Sequence, residues 1–574
     1  MTDDLAEGYL TVETDRGERT FALGPRTALD GEPPVLDWRT APLAEVFFRH
    51  APGEPYEIEA AGRSHEGRVL ARRIVERGAP AAGVQPLPAA IPQPDRSALV
   101  TLDPEQQRAV DLPAETSLVV DGEAGVGKTL VALYRAASLA RRARERGRGH
   151  RTLVLVPTEG LRRLARLLVE RLGIPRVEIA VTDAWLLERV RAAFPGLPAR
   201  TSASAAAQVI AAKRHPAVRA VLGDLVGWRP PRGVERDEKL GVARLRLLHL
   251  WGDRDRLRRV VDAAGGALPD RAIEAVALHT RAQFERTTEA LHRHVDADRL
   301  VALDGRRLDA GTPAEDAHTF DAEDAPVLLE LARRGALKAA ELARYDHIVV
   351  DEAQLRAPME LAAIGDALAP HGTVTLAGDH RQATDETAWF TGWAAARAEL
   401  RRPVWRETTL AVTYRSTPAI AAFARGISDG TARLPGEPPA DPAVWASRCE
   451  HALGQAARLC WHLDALLVRD PWRQIAVIAR TPEHARRLHA ELRGLDAALV
   501  LDGDFRFEPG VIVTTAAAVA GLEFDAVVIP DLATGFYPPA PELARSLYVA
   551  ATRARDWLWL LAAGSWSELV QPPR

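Results

Sequence analysis

Only two cysteines, Cys449 and Cys460, occur in 574 residues. They lack the close cysteine and histidine spacing of a zinc site, so neither a disulfide framework nor a structural metal is expected, and both read as ordinary thiols. Long apolar runs are missing too, which excludes a membrane-spanning helix. The start, MTDDLAEGYL, is acidic where an export signal needs a positive end followed by an apolar stretch. The expectation is a cytoplasmic protein without membrane contact. Nor is there an excess of positive charge: 74 Lys and Arg stand against 78 Asp and Glu, a net charge of −4. Any nucleic-acid contact must therefore be local. The strongest local candidate runs from Arg141 to Arg176, with a solvated arginine-rich helix face as the alternative.

What is present is ordinary globular material, 47% hydrophobic and 26% charged. The length supports roughly three or four domains. Residues 1–78 alternate short apolar segments such as YLTVET and YEIEAAG and read as a small β-rich N-terminal domain. Residues 79–96, rich in proline and alanine, read as a linker. Beyond it, short apolar strands alternate with amphipathic helices, the pattern of a parallel sheet covered on both faces. Residues 97–182 and 345–400 are assigned to one α/β domain, 183–344 to a helical insertion within it, and 401–574 to a second α/β domain.

The clearest chemistry lies in Gly122-Glu123-Ala124-Gly125-Val126-Gly127-Lys128-Thr129, between the apolar strand SLVVD and a helix. The G-x-x-x-x-G-K-[ST] spacing lets backbone amides curl around phosphate oxygens at a helix N-terminus. Lys128 then neutralises charge and Thr129 offers a hydroxyl to Mg²⁺. The stretch HIVVDEAQ supplies Asp351 for the metal's water shell and Glu352 for the attacking water, at the end of a second apolar strand. Hydrolysis of a nucleoside triphosphate with Mg²⁺ follows from these residues alone.

Taken in order, the motifs resemble those of superfamily 1 helicases of the UvrD and Rep type. LDPEQ looks like the adenine-reading Q motif and implies Gln106 on the base and ATP as the nucleotide. VTLAGDHRQ resembles motif III, with Gln382 sensing the γ-phosphate. TYRS resembles motif IV, with Tyr414 stacking on adenine and Arg415 reaching the γ-phosphate. LYVAATRA resembles motif VI, with Arg553 as a second arginine finger. GVIVTTAAAVAGLEFDAVVIPD, from Gly510 to Asp531, looks like motif V, in which Glu523 would hold the ribose. The resemblance implies two RecA-like P-loop NTPase domains with parallel sheets.

Within that superfamily, VLDWRTAPLAEVFF, HTFDAEDAPVLLE and YDHIVVDEAQ resemble the HelD-like ATPases that associate with bacterial RNA polymerase. The resemblance is to a member without the long N-terminal helical arm. Leu355 stands where the family carries an acidic residue, Ala520 where motif V has lysine, and Ala517 where UvrD-type members have histidine. The leading expectation is thus a helicase-like ATPase that remodels RNA polymerase or its complex with nucleic acid, DNA being favoured. The alternatives are a UvrD-type translocase on single-stranded DNA, gripping the backbone with Thr158 and stacking bases on Trp389 and Trp393, and a regulatory nucleotide-binding scaffold.

Overall fold

A computed structural model of the protein describes residues 5–60, 62–75, 102–123, 125–172, 177–202, 205–229, 241–284, 317–410, 416–436, 442–506, 508–519 and 521–572. The expected linker at 79–96 lies outside these residues.

The N-terminal unit is a five-stranded sheet of β1 (Gly8–Thr14), β2 (Gly17–Gly24), β3 (Val35–Asp37), β4 (Pro55–Ala60) and β5 (Arg63–Ile74), in the order β3-β2-β1-β5-β4. Its alternation works as the sequence pattern requires: in β1, Gly8, Leu10 and Val12 face inward while their neighbours are partly exposed. Its apolar face does not pack on the α/β domain that follows it in sequence. Leu10, Val12, Trp38 and Phe47 share a core with Trp445, Leu453, Val477 and Trp557 of the second α/β domain. Cys449 and Cys460 are both buried in the same core, where burial pushes the Cys460 thiol up to about 12.

The chain then builds two RecA-like α/β domains. The first sheet contains β6 (Ser117–Gly122), β7 (Thr152–Val156), β8 (Val177–Val181), β9 (Tyr345–Val350), β10 (Leu368–Gly378) and β11 (Trp405–Leu410), in the order β11-β6-β10-β9-β7-β8. Every pairing in it is parallel. All six residues of β6 are buried, as expected for a strand covered on both faces. Because β11 pairs with β6 from Trp405↔Ser117 to Leu410↔Gly122, the chain leaves the first sheet only after Leu410.

The second sheet, also all-parallel, holds β12 (Val444–Cys449), β13 (Gln474–Ala479), β14 (Ala497–Leu499), β15 (Gly510–Thr515), β16 (Phe524–Ile529) and β17 (Ala554–Ala563), ordered β12-β17-β16-β13-β15-β14. A shared apolar core joins the two domains, with Leu133, Ala136 and Leu161 of the first packing with Phe423, Leu522 and Tyr548 of the second.

Between β8 and β9 the described chain is helical, from Thr182–Ala193 to Asp324–Arg333, and its core is continuous with the first sheet through Trp185, Trp251, Ile348 and Leu376. The insertion is clasped internally by Lys213, whose buried ammonium lies 2.5 Å from Asp321 and 2.9 Å from Asp324. Burial opposes that charge, but the two carboxylates outweigh burial and hold the Lys213 ammonium above its ordinary value. The neighbouring Arg214 fastens the insertion to the first domain, pairing with Glu360 at 2.8 Å and Asp385 at 2.7 Å. Trp389 donates its indole N–H to the Ala211 carbonyl, and Trp393 is 7% exposed, so both tryptophans serve packing. No helix among the described residues is long and apolar enough to cross a membrane.

Candidate functional site

The P-loop joins β6 to the helix Lys128–Glu145, at the C-terminal end of that strand. Gly127 caps that helix with φ +87°, a left-handed conformation open to glycine. A Cβ at Gly127 would also sit 2.8 Å from Gln106 Nε2. Gln106 is buried, donates to the Val126 carbonyl at 2.9 Å, and accepts from the Asp103 amide at 3.0 Å. Asp103 in turn caps the helix Pro104–Val110 through the amides of Glu105 and Gln106. The expected base-reading glutamine thus braces the loop from behind.

Lys128 Nζ donates to the carbonyls of Gly122 and Glu123, both at 2.9 Å. The Val126 side chain is 1% exposed and anchors the loop in a small core with Val120 and Val131. Glu123 points the other way and pairs with Arg381 at 2.8 Å, while Gly125 holds φ +79°. Ala124 lies outside the described residues.

Thr129 Oγ1 donates within 3.0 Å and 2.9 Å of the two Asp351 oxygens. Burial, reinforced by the adjacent Glu352, pushes the Asp351 carboxyl up to about 7, against the Thr129 hydrogen bond. Glu352 takes a left-handed backbone, φ +49°, immediately after the strand, and is 7% exposed. A non-glycine residue there is uncommon, and such positions gather at functional sites. A hydroxyl beside a buried pair of carboxylates is the donor set of a magnesium site, and the residues fit that ion.

Three side chains not singled out in the sequence extend the site across the cleft. Gln354 donates to Glu352 Oε2 at 2.6 Å and accepts from the Asp379 amide at 3.3 Å. Asp379 Oδ2 accepts from Gln382 Nε2 at 2.9 Å and from the Tyr548 hydroxyl at 3.3 Å. Gln382 Oε1 accepts from Arg553 Nη2 at 2.7 Å. A continuous relay therefore runs from Glu352 through Gln354, Asp379 and Gln382 to Arg553 of the second domain. Arg553 is 2% exposed and also donates to the carbonyls of Leu522 and Val549, at 3.1 and 3.0 Å. Burial, reinforced by Asp379, raises the Tyr548 phenol well above its ordinary value, so it stays a donor.

The turn Gly521–Glu523 leads into β16. Gly521 has φ +74°, and a Cβ on it would lie 2.6 Å from Leu161 Cδ1 and 3.0 Å from Glu352 Oε1. This turn is thus seated against the first domain's carboxylate. Glu523 is half-buried on the same turn. Tyr414, Arg415 and Ala520 lie outside the described residues.

Thr158 is half-buried in this arrangement. It caps the helix Glu159–Arg171 by accepting from the Leu161 amide at 3.3 Å, and a second-domain loop covers that helix's first turn. Gly160 N–H donates to the Gly503 carbonyl at 3.0 Å, and Arg163 pairs with Asp504 at 2.7 Å and donates to the Phe505 carbonyl at 3.2 Å.

Two RecA-like domains thus place a P-loop, a buried Asp-Glu pair and an arginine from the facing domain around one cleft. Residues 510–561, from β15 through most of β17, match the family model of the UvrD-like helicase C-terminal domain. Among solved structures, the chain is similar to the C-terminal domain of a possible DNA helicase from Lactobacillus plantarum WCFS1, at 24% identity and a TM-score of 0.23. That likeness covers 28% of this chain and 100% of that one. No curated protein matches the chain.

Proposed function

We propose that the protein is an ATP-hydrolysing, helicase-like motor that remodels RNA polymerase or a polymerase–nucleic acid complex. The observation that carries the motor reading is the relay from Glu352 to Arg553, because it makes the catalytic carboxylate and the facing domain's arginine one hydrogen-bonded unit. Lys128 and the loop amides would hold the β- and γ-phosphates in place of the Gly122 and Glu123 carbonyls that Lys128 now contacts. Thr129 and Asp351 would hold Mg²⁺, which supplies charge neutralisation to the transferring phosphoryl group. Glu352 would orient water, and Arg553, released from Gln382, would stabilise the developing charge only when the domains close. Hydrolysis is then tied to domain motion. Tyr414 and Arg415 are proposed for the adenine and γ-phosphate, Glu523 for the ribose, and Gln106 for the base edge.

Two observations favour a protein-directed switch over a strand tracker. The second-domain loop at Gly503–Phe505 covers Thr158, and position 517, exposed on the joint after β15, is an alanine without charge for a phosphate. The match of residues 510–561 to a UvrD-like helicase domain supports the alternative of a single-stranded DNA translocase. ATPase measured alone, with single-stranded DNA, and with core RNA polymerase separates them. Stimulation by polymerase is the expected result, stimulation by DNA alone transfers the reading to a translocase, and Lys128→Ala should abolish turnover in every arm. Turnover surviving in that variant would mean the site is misassigned.

A further inference from the structure

We propose that the arginine-rich turn at the far end of the P-loop helix is a docking surface for the sugar–phosphate backbone of nucleic acid, separate from the nucleotide cleft. The helix Lys128–Glu145 starts at the P-loop, and its 18 residues carry the chain about 27 Å away from it. Arg141, Arg144, Arg146 and Arg148 are exposed at that far end, and Arg151 is exposed directly before β7. The turn is fixed by backbone bonds from Gly147 to Arg144 and from Arg148 to Ala143. Arg344, also exposed, precedes β9, which pairs in parallel with β7, so it lies at the same end of those strands as Arg151.

A helix C-terminus favours one or two cations, and Arg142 already serves there, pairing with Asp111 and donating to the Leu112 carbonyl. The rest exceed that role. Arg141 has only Glu145, at 4.0 Å, and Arg144, Arg146 and Arg148 have no ion pair among the described residues. Asp346, the nearby acid, accepts from the Arg151 amide. In a chain of net charge −4, such a segregated group of like charges is held against its own repulsion. No large apolar side chain is exposed between residues 140 and 151, so the patch lacks the apolar centre on which a protein partner is anchored. Guanidinium groups without an apolar centre match phosphates, which they bind in bidentate fashion regardless of sequence.

This surface goes beyond the motor reading and needs no turnover, so the full chain can be tested without nucleotide. The probe is a fluorescent mixed-sequence duplex, titrated by anisotropy between about 50 and 200 mM salt. Combining Arg144→Ala, Arg146→Ala and Arg148→Ala should lower the slope of log K against log salt by about 0.9 for each phosphate no longer neutralised, and so by about 2 to 3 in all. The corresponding triple lysine variant should keep the slope, and basal ATPase should be unchanged in both. An unchanged slope in the alanine variant overturns the proposal. So does wild-type binding to polyglutamate with none to the duplex, which would assign the patch to an acidic protein. Absence of ATPase in the wild type would count against the motor reading alone.

Discussion

Replacing Gly521 by alanine tests whether the second domain's turn positions Glu352. Two effects are separable from the geometry. The backbone at φ +74° imposes roughly 1–2 kcal/mol on any residue with a Cβ, which lowers the melting temperature by a few degrees. The new methyl would also lie 3.0 Å from Glu352 Oε1, where ordinary contact begins near 3.4 Å, and 2.6 Å from Leu161 Cδ1. Leu161 can swing its terminal methyl aside. Glu352 is held by Gln354 at 2.6 Å and must shift by about 0.4 Å. A 1 Å misplacement can reduce a rate about 100-fold, so a shift of this size should reduce kcat on the order of fivefold to tenfold. Gly430→Ala is the control: its φ is +69°, but a Cβ there meets nothing within 4 Å. Thermal melts and steady-state ATPase of both variants decide the matter. The two should melt alike while only Gly521→Ala loses turnover. Equal activity at equal stability would refute the idea that Gly521 leaves room for the carboxylate.

Lys213→Met leaves the buried carboxylates of Asp321 and Asp324 without their cation and should destabilise the helical insertion by about 3–5 kcal/mol. Hydrogen exchange should show this over residues 207–284, with the P-loop helix still protected; a change below about 1 kcal/mol would contradict the clasp. Asp556 is 9% exposed, with one carboxylate oxygen lacking a hydrogen-bond partner. Burial, with Arg555 opposing and Asp525 reinforcing, pushes its carboxyl up to about 6. The folded state then holds the proton more tightly than the unfolded chain, so this group's contribution to stability falls as pH rises from about 4 to about 6 and is flat above. The advantage of Asp556→Asn over wild type in chemical denaturation should grow across that window, and a pH-independent difference would rule the effect out.

Much of this architecture is readable along the chain because parallel strands covered on both faces leave continuous apolar runs. SLVVDG, HIVV, IAVIA and VVI each announce themselves, and the residues after two of them carry the P-loop and the Asp-Glu pair. What periodicity does not carry is the partner of a buried face. The N-terminal sheet reads as a β unit, yet nothing in YLTVET says that Leu10 and Val12 will meet Leu453 and Trp557. The same holds for β11: the stretch 401–574 reads as the second domain, and nothing in the letters WRETTL shows that this strand pairs with SLVVDG of the first sheet.

The relay shows the same limit at the level of single side chains. Gln354 and Asp379 stand inside the motifs that carry Glu352 and Gln382, so the letters are visible, but the bond between them depends on β9 and β10 ending side by side. Because Gln354 contacts Glu352 with its amide nitrogen and Asp379 through its carbonyl oxygen, it cannot respond to one without bearing on the other. Gly521 of the facing domain, having no Cβ, leaves room beside the same glutamate. The size of residue 521 therefore bears on how closely the second domain can approach that carboxylate, and position 517, on the other end of that joint, carries no charge. On the proposed reading, hydrolysis would be coupled to domain closure through this contact rather than through a bound strand, as a switch acting on a protein machine requires.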